Sequence, residues 1–229
     1  MLDQVKVIAF DADDTLWLNE VYFRESEEEF FRMLADYSIP HGLEKELIKT
    51  EIANVAPYGY GVKSFILSMI ETALRVTDKT LHVEVIDRIL ELGKAQLRKP
   101  VELLDGVEDV LLKLNGTYKL ILATKGDLLD QERKLEQSGL ERHFHHIEVL
   151  SHKEEKNYMK LLKHLDIEPR EFLMVGNSLK SDVIPVLNIG GHAFHVPYPI
   201  TWALEKVDTK IEHPNLKLLN SITEVLDHV

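Results

Sequence analysis

The sequence predicts an α/β fold, a parallel sheet with helices on both faces and one long all-helical insert. Two patterns predict it. From Gly106 onward, short apolar, β-rich runs alternate with amphipathic helical stretches, which is the rhythm of a parallel sheet. Residues 17–100 carry helical periodicity with no strand signal to interrupt it. The expected division is therefore 1–16 and 101–229 for the α/β core and 17–100 for the helical domain.

The first strand is Val5–Phe10, apolar except for Lys6, as suits a strand buried on both faces. In the insert, Ser26-Glu27-Glu28-Glu29 reads as a capping box opening a helix that turns Phe30, Phe31, Leu34 and Ala35 inward. A second helix runs over about Leu43–Val55 and is broken by Pro57-Tyr58-Gly59-Tyr60-Gly61. Two more cover Val62–Val76 and about Leu81–Leu97. The core then resumes with helices at Val107–Leu114, Asp127–Ser138, Glu154–Leu165 and Ser181–Ile189, the last despite Pro185. Strands are expected at Tyr118–Ala123, Ile147–Leu150, Phe172–Val175 and His192–Val196. Weaker helical patterns follow at Thr201–Lys206 and Ile222–Leu226.

Composition narrows the function. Of 229 residues 45% are hydrophobic, enough for a packed core rather than a disordered chain. The absence of Cys excludes disulfides, thiolate metal sites and Cys nucleophiles. A net charge of −12 without a basic stripe argues against nucleic acid, and any small anionic ligand needs locally concentrated positive charge. With no signal-peptide pattern and no apolar run of membrane-spanning length, a cytoplasmic protein that binds no membrane is expected. Nothing in the sequence fixes the oligomeric state.

Chemistry-bearing residues recur at the ends of predicted strands, where ligands collect in open α/β sheets. The first strand runs into Asp11-Ala12-Asp13-Asp14-Thr15. Side chains alternate along an extended chain, so Asp11 and Asp13 project to one side. Two such charges need a cation or a shared proton; an acidic, helix-capping turn is the plainer alternative. The strand ending at Ala123 leads into Thr124-Lys125-Gly126, which can hold phosphate oxygens, although a simple Thr N-cap explains that tripeptide equally well. After Ile147–Leu150, either Lys153 or Lys156 could supply a fixed positive charge; Lys153 lies directly past the strand. Phe172–Val175 runs into Gly176-Asn177-Ser178-Leu179-Lys180-Ser181-Asp182, whose Asn177 and Asp182 are oxygen donors of the kind Mg²⁺ takes. A capping Asn-Ser accounts for Asn177 and Ser178 but not for Asp182.

Taken in order, these four stretches resemble the motifs of the haloacid dehalogenase superfamily: strand then Asp-x-Asp-x-Thr, strand then Thr, a lysine, and strand then Gly-(Asp/Asn)-Ser-x-x-x-Asp. The resemblance implies a Rossmann-like core with residues 17–100 as a helical cap inserted between the first and second motifs. It implies a phosphatase that cleaves a small phosphorylated metabolite through an aspartyl-phosphate. In that scheme Asp11 is the nucleophile, Asp13 the general acid and base, and Thr124 with Lys125 binds the phosphate. Lys153, whose spacing to the last motif fits better than that of Lys156, stabilises charge, and Mg²⁺ is held by Asp11, Asp13, Asn177 and Asp182. The departure is Asn177, where many phosphatases carry Asp, which removes a charge from the metal site. Asp13 speaks against a dehalogenase, which lacks that second Asp because a halide leaves without a proton. A phosphomutase shares all four motifs. A phosphonate hydrolase would need a cap lysine, for which Lys63, Lys79 and Lys94 are available. A non-catalytic binding protein on the same fold is the reading from another class. His143, His145, His146 and His152 match no standard ligand spacing and are expected at the surface.

Overall fold

The computed structural model describes residues 2–35, 37 and 42–229. The chain divides into two compact units, Met1–Asn19 with Val101–Lys125 and Gln131–Val229, and Glu20–Pro100 with Gly126–Asp130.

In the first unit, strands β1 (Val7–Phe10), β2 (Lys119–Lys125), β3 (His146–Leu150), β4 (Phe172–Gly176), β5 (His192–His195) and β6 (Leu216–Leu218) form one sheet. Its order is β3-β2-β1-β4-β5-β6 and every pairing is parallel. The chain therefore winds outward from β1 in both directions, and β1 meets β4 at the point where the winding reverses. In doubly wound sheets that point opens a crevice at the carboxyl ends of the strands. Asp11 is the residue that follows β1 there, its N–H bonded to the Val175 carbonyl at 2.9 Å.

The period-2 pattern of the strands builds two cores. Ile8, Phe10, Leu120, Leu122, Leu173 and Val175 face one side, with Val110 and Leu111 of helix α5 (Val107–Leu114) and with Ile222 and Val225 near the C-terminus. Val7, Ala9, Ile121, Ala123, Phe172 and Met174 face the other, against Tyr158, Leu161 and Leu162 of helix α7 (Glu155–Leu165). The sequence pattern missed β6: three residues whose Leu218 is exposed leave no apolar run to detect. The helix expected from Ser181 instead begins with a π turn at Leu179–Val183 and continues as α8 (Ile184–Asn188). Pro185 thus falls in the first turn of α8, where a missing N–H costs nothing.

The second unit packs four helices, α1 (Glu20–Met33), α2 (Leu43–Tyr58), α3 (Val62–Val76) and α4 (Val83–Leu97). Phe30, Leu34, Leu47, Phe65, Met69 and Ile89 are at the centre of their core. Ser26 is no N-cap. It lies within α1, buried, and donates its hydroxyl to Gln96 Oε1 at 2.8 Å. Helix α1 starts seven residues earlier than the box suggests, and Ala35 falls past its end, exposed. Helix α2 likewise runs on through Pro57 to Tyr58, because only its final turn has to tolerate the ring. In α4, a Cβ at Gly93 would come within 2.5 Å of Ile66 Cγ1, so glycine lets α3 and α4 approach closely. Among the described residues, no helix is long and apolar enough to cross a membrane.

Candidate active site

The carboxyl end of β1 gathers residues from all four strand-end stretches. Lys153 is almost fully buried and donates to two buried carboxylates, Asp11 Oδ1 and Asp182 Oδ1, the latter at 2.6 Å. Asp182 Oδ2 accepts the N–H of Ser178 at 2.9 Å. Thr15 Oγ1 sits between Asp11 Oδ2 at 3.4 Å and Asn177 Oδ1 at 3.3 Å, and accepts the Asn177 N–H at 3.1 Å. Lys156 points elsewhere: it is exposed and pairs with Glu154.

Two carboxylates around one ammonium leave surplus negative charge in a buried site. Burial, above all, pushes the Asp11 carboxyl up to about 7; Lys153 opposes this, and Asp182 reinforces it. Burial acts to discharge Lys153, but Asp11 and Asp182 outweigh it and hold the ammonium above its ordinary range. Tyr158 donates to the Ser181 carbonyl at 3.0 Å, and burial raises its phenol well above the usual range.

Asp13 is held differently. Its Oδ1 accepts from the Trp17 indole at 2.7 Å and from Lys134 at 2.6 Å, and its Oδ2 from Gln131 at 3.0 Å. Gln131 Nε2 also reaches the buried Thr124 hydroxyl at 3.1 Å and the Lys125 carbonyl at 2.6 Å. Helix α6 (Leu128–Ser138) supplies both Gln131 and Lys134 one turn apart. The tight loop that brings Trp17 back over Asp13 passes through Asp14 at φ 60°, the left-handed region, with Asp14 Oδ1 accepting the Asn19 N–H at 2.9 Å.

The Lys125 ammonium binds Glu205 at 2.6 Å and Ser181 Oγ at 2.8 Å. Glu205 also accepts from the Ser178 and Ser181 hydroxyls. Burial alone would raise the Glu205 carboxyl, but Lys125 and the two serines bring it down to about 2. The sign follows directly. A carboxyl with a depressed folded pKa stabilises fully above its unfolded value, near 4.5, and loses that contribution as pH falls toward 2. Glu205→Gln is expected to cost about 3 kcal/mol at pH 7 and to flatten the wild-type loss of stability between those limits, as read by urea melts across pH.

Sequence reasoning missed Trp17, Gln131, Lys134 and Glu205. Trp17 follows the first motif and could have been noticed as a donor. Gln131 and Lys134 read as the polar face of an ordinary helix, and Glu205 comes from a segment without strong periodicity. Gly176 owes its identity to the site: a Cβ there would lie 2.3 Å from Asp182 Oδ2. Gly176→Ala is expected to cost at least about 2 kcal/mol and to displace Asp182, measurable as a lower Tm together with lost activity.

A buried carboxylate–lysine cluster at the switch point of a parallel sheet defines an α/β enzyme of the doubly wound class. The chain belongs to the haloacid dehalogenase-like hydrolase family, whose model matches residues 5–190. It is 26% identical over 200 residues to mouse (Mus musculus) N-acylneuraminate-9-phosphatase, covering 82% of this chain and 81% of the relative. It is 29% identical to the glyceraldehyde 3-phosphate phosphatase of Pyrococcus furiosus, covering 82% and 78%. The crystal structure of a haloacid dehalogenase-like family hydrolase from Xanthomonas campestris superposes with a TM-score of 0.87 at 38% identity, over 96% of this chain and 88% of that one.

Proposed function

We propose that the protein is a Mg²⁺-dependent phosphatase that hydrolyses a small-molecule phosphate monoester through an aspartyl-phosphate. The observation that carries this reading is the buried Asp11–Lys153–Asp182 cluster, with Thr15 and Asn177 against it and Asp13 two residues from Asp11. The phosphatase names of its relatives support it.

The donor set fits Mg²⁺. All the groups are oxygens, two buried carboxylates share a single ammonium, and the surplus negative charge favours a divalent ion. The Asp11 and Asn177 side chains and the Asp13 main-chain carbonyl would hold the ion, with Asp182 supporting it. When bound, it shields the attacking carboxylate from the anionic phosphate.

Asp11 attacks phosphorus in line and the ester oxygen leaves; water then cleaves the acyl phosphate. Lys153 neutralises the phosphoryl oxygens while Asp182 fixes its ammonium. The Thr124 hydroxyl and the backbone of Lys125 bind those oxygens, with Lys125 itself anchored by Glu205. Asp13 protonates the leaving alcohol and then takes a proton from the attacking water. Lys134 and Trp17 both bond to its Oδ1 and hold the carboxylate in place. That second Asp is also what a dehalogenase would not need. Residues 17–100 would act as the cap that sets substrate choice.

The test is hydrolysis of an aryl phosphate and of a panel of sugar, nucleotide and amino-acid phosphates, with Mg²⁺ and with chelator. Metal-dependent phosphate release supports the assignment; no release from any substrate at saturating Mg²⁺ sinks it.

A further inference from the structure

The histidines near β3 do not behave as their sequence order suggests. His143 is buried, and burial together with the neighbouring Arg142 lowers its pKa. His146 lies on β3, where residues two apart share a face, and its Nε2 is 2.9 Å from Glu148 Oε2. In the sheet these two pair with Ile121 and Ala123, which belong to the layer packed under α7. That same helix carries His164 near its far end, with its ring centroid 5.3 Å from that of His146. One ligand atom from each of His146, Glu148 and His164 can be chosen so that all three lie within 4.8 Å of one another.

We propose that His146, Glu148 and His164 form a binding site for a divalent transition-metal ion of the Zn²⁺ class, tying the edge strand β3 to the far end of α7. Two imidazoles and one carboxylate are borderline-soft donors that suit Zn²⁺, Ni²⁺ or Cu²⁺, whereas Mg²⁺ takes oxygen. A tetrahedral ion with bonds of about 2.0–2.1 Å needs its ligands roughly 3.3 Å apart. The His146–Glu148 pair is already at about that spacing, and the exposed His164 lies with its ring against that of His146. Three protein ligands leave a fourth position for water. The absence of Cys removes any competing thiolate. The site is independent of the hydrolytic reading. Its consequence is mechanical: β3 and α7 flank residues 151–154, which include Lys153, and the ion cross-links them.

The test is calorimetric titration of Zn²⁺ into the whole chain in excess Mg²⁺, which fills any oxygen site, for wild type, His146→Asn and His164→Asn. Wild type is expected to take up a single tight equivalent, and its Tm to rise roughly 5–10 °C at about 100 times Kd. Each variant should lose about tenfold or more in affinity, along with that thermal shift. The exposed His164 keeps the comparison valid even if His146→Asn lowers the metal-free Tm. No tight uptake by wild type, or affinity in His164→Asn within about tenfold of wild type, overturns the site.

Discussion

An Asp11→Asn variant is expected to lose phosphate release by on the order of 10⁴-fold or more while becoming more stable in chelator than the wild type. The loss follows from the proposed role of Asp11 as nucleophile. The gain follows from the charge balance: Asn leaves Lys153 with one buried carboxylate in place of two. Asp11 has a folded pKa near 7, above its ordinary 3.8. For such a group the folded state binds the proton more tightly, so its ionisation erodes stability as pH rises from 3.8 toward 7. The variant's advantage should therefore be greatest at and above neutral pH and vanish near pH 4, which thermal melts across pH would read. Mg²⁺ should raise the Tm of the wild type and leave that of the variant unchanged. A variant less stable than wild type at pH 8 would contradict the charge balance even if activity were lost.

Lys153→Met is expected to be the most destabilising single substitution in the site. It leaves Asp11 and Asp182 buried together without a counter-charge, a change that costs about 3–5 kcal/mol in comparable buried pairs. At roughly 2–4 °C per kcal/mol, Tm should fall by about 10 °C, and catalysis should be abolished. The Lys153 pKa is raised, so its contribution is complete below the unfolded value of 10.5 and is lost only as pH climbs through the folded one. The deficit is thus present throughout the neutral range. It should shrink in acid, where burial favours the protonated form of Asp11, and adding Asp182→Asn should recover part of it. A deficit that persisted undiminished at pH 4 would assign the loss to packing instead.

The positions of these two residues were legible in the sequence because each lies just past an apolar run, Asp11 next to Phe10 and Lys153 three residues beyond Leu150, where local pattern and site location coincide. The strands themselves read clearly for the same reason: Phe172–Val175 and Leu120–Ala123 are buried on both faces and carry continuous apolar runs. Legibility failed where geometry depends on packing. Ser26 has the spacing of a capping box, yet its hydroxyl bonds to Gln96, seventy residues away in the sequence. Gln131 and Lys134 look like solvated helix residues until α6 is laid beside the Asp13 loop. The His146–Glu148 pair is visible only once the segment is known to be a strand, because period 2 would mean nothing on a helix.

The π turn at Leu179–Val183 limits how this region of the chain can be altered. A π turn is in effect an α-helix holding one extra residue, and each residue turns the helix by about 100°. Deleting one residue there would restore ordinary helical winding at little backbone cost. It would also rotate Asp182 out of reach of Lys153 and of the Ser178 N–H. Length in this stretch is therefore as exacting as residue identity. A shortened chain would keep its fold and every named side chain, and still have the wrong phase.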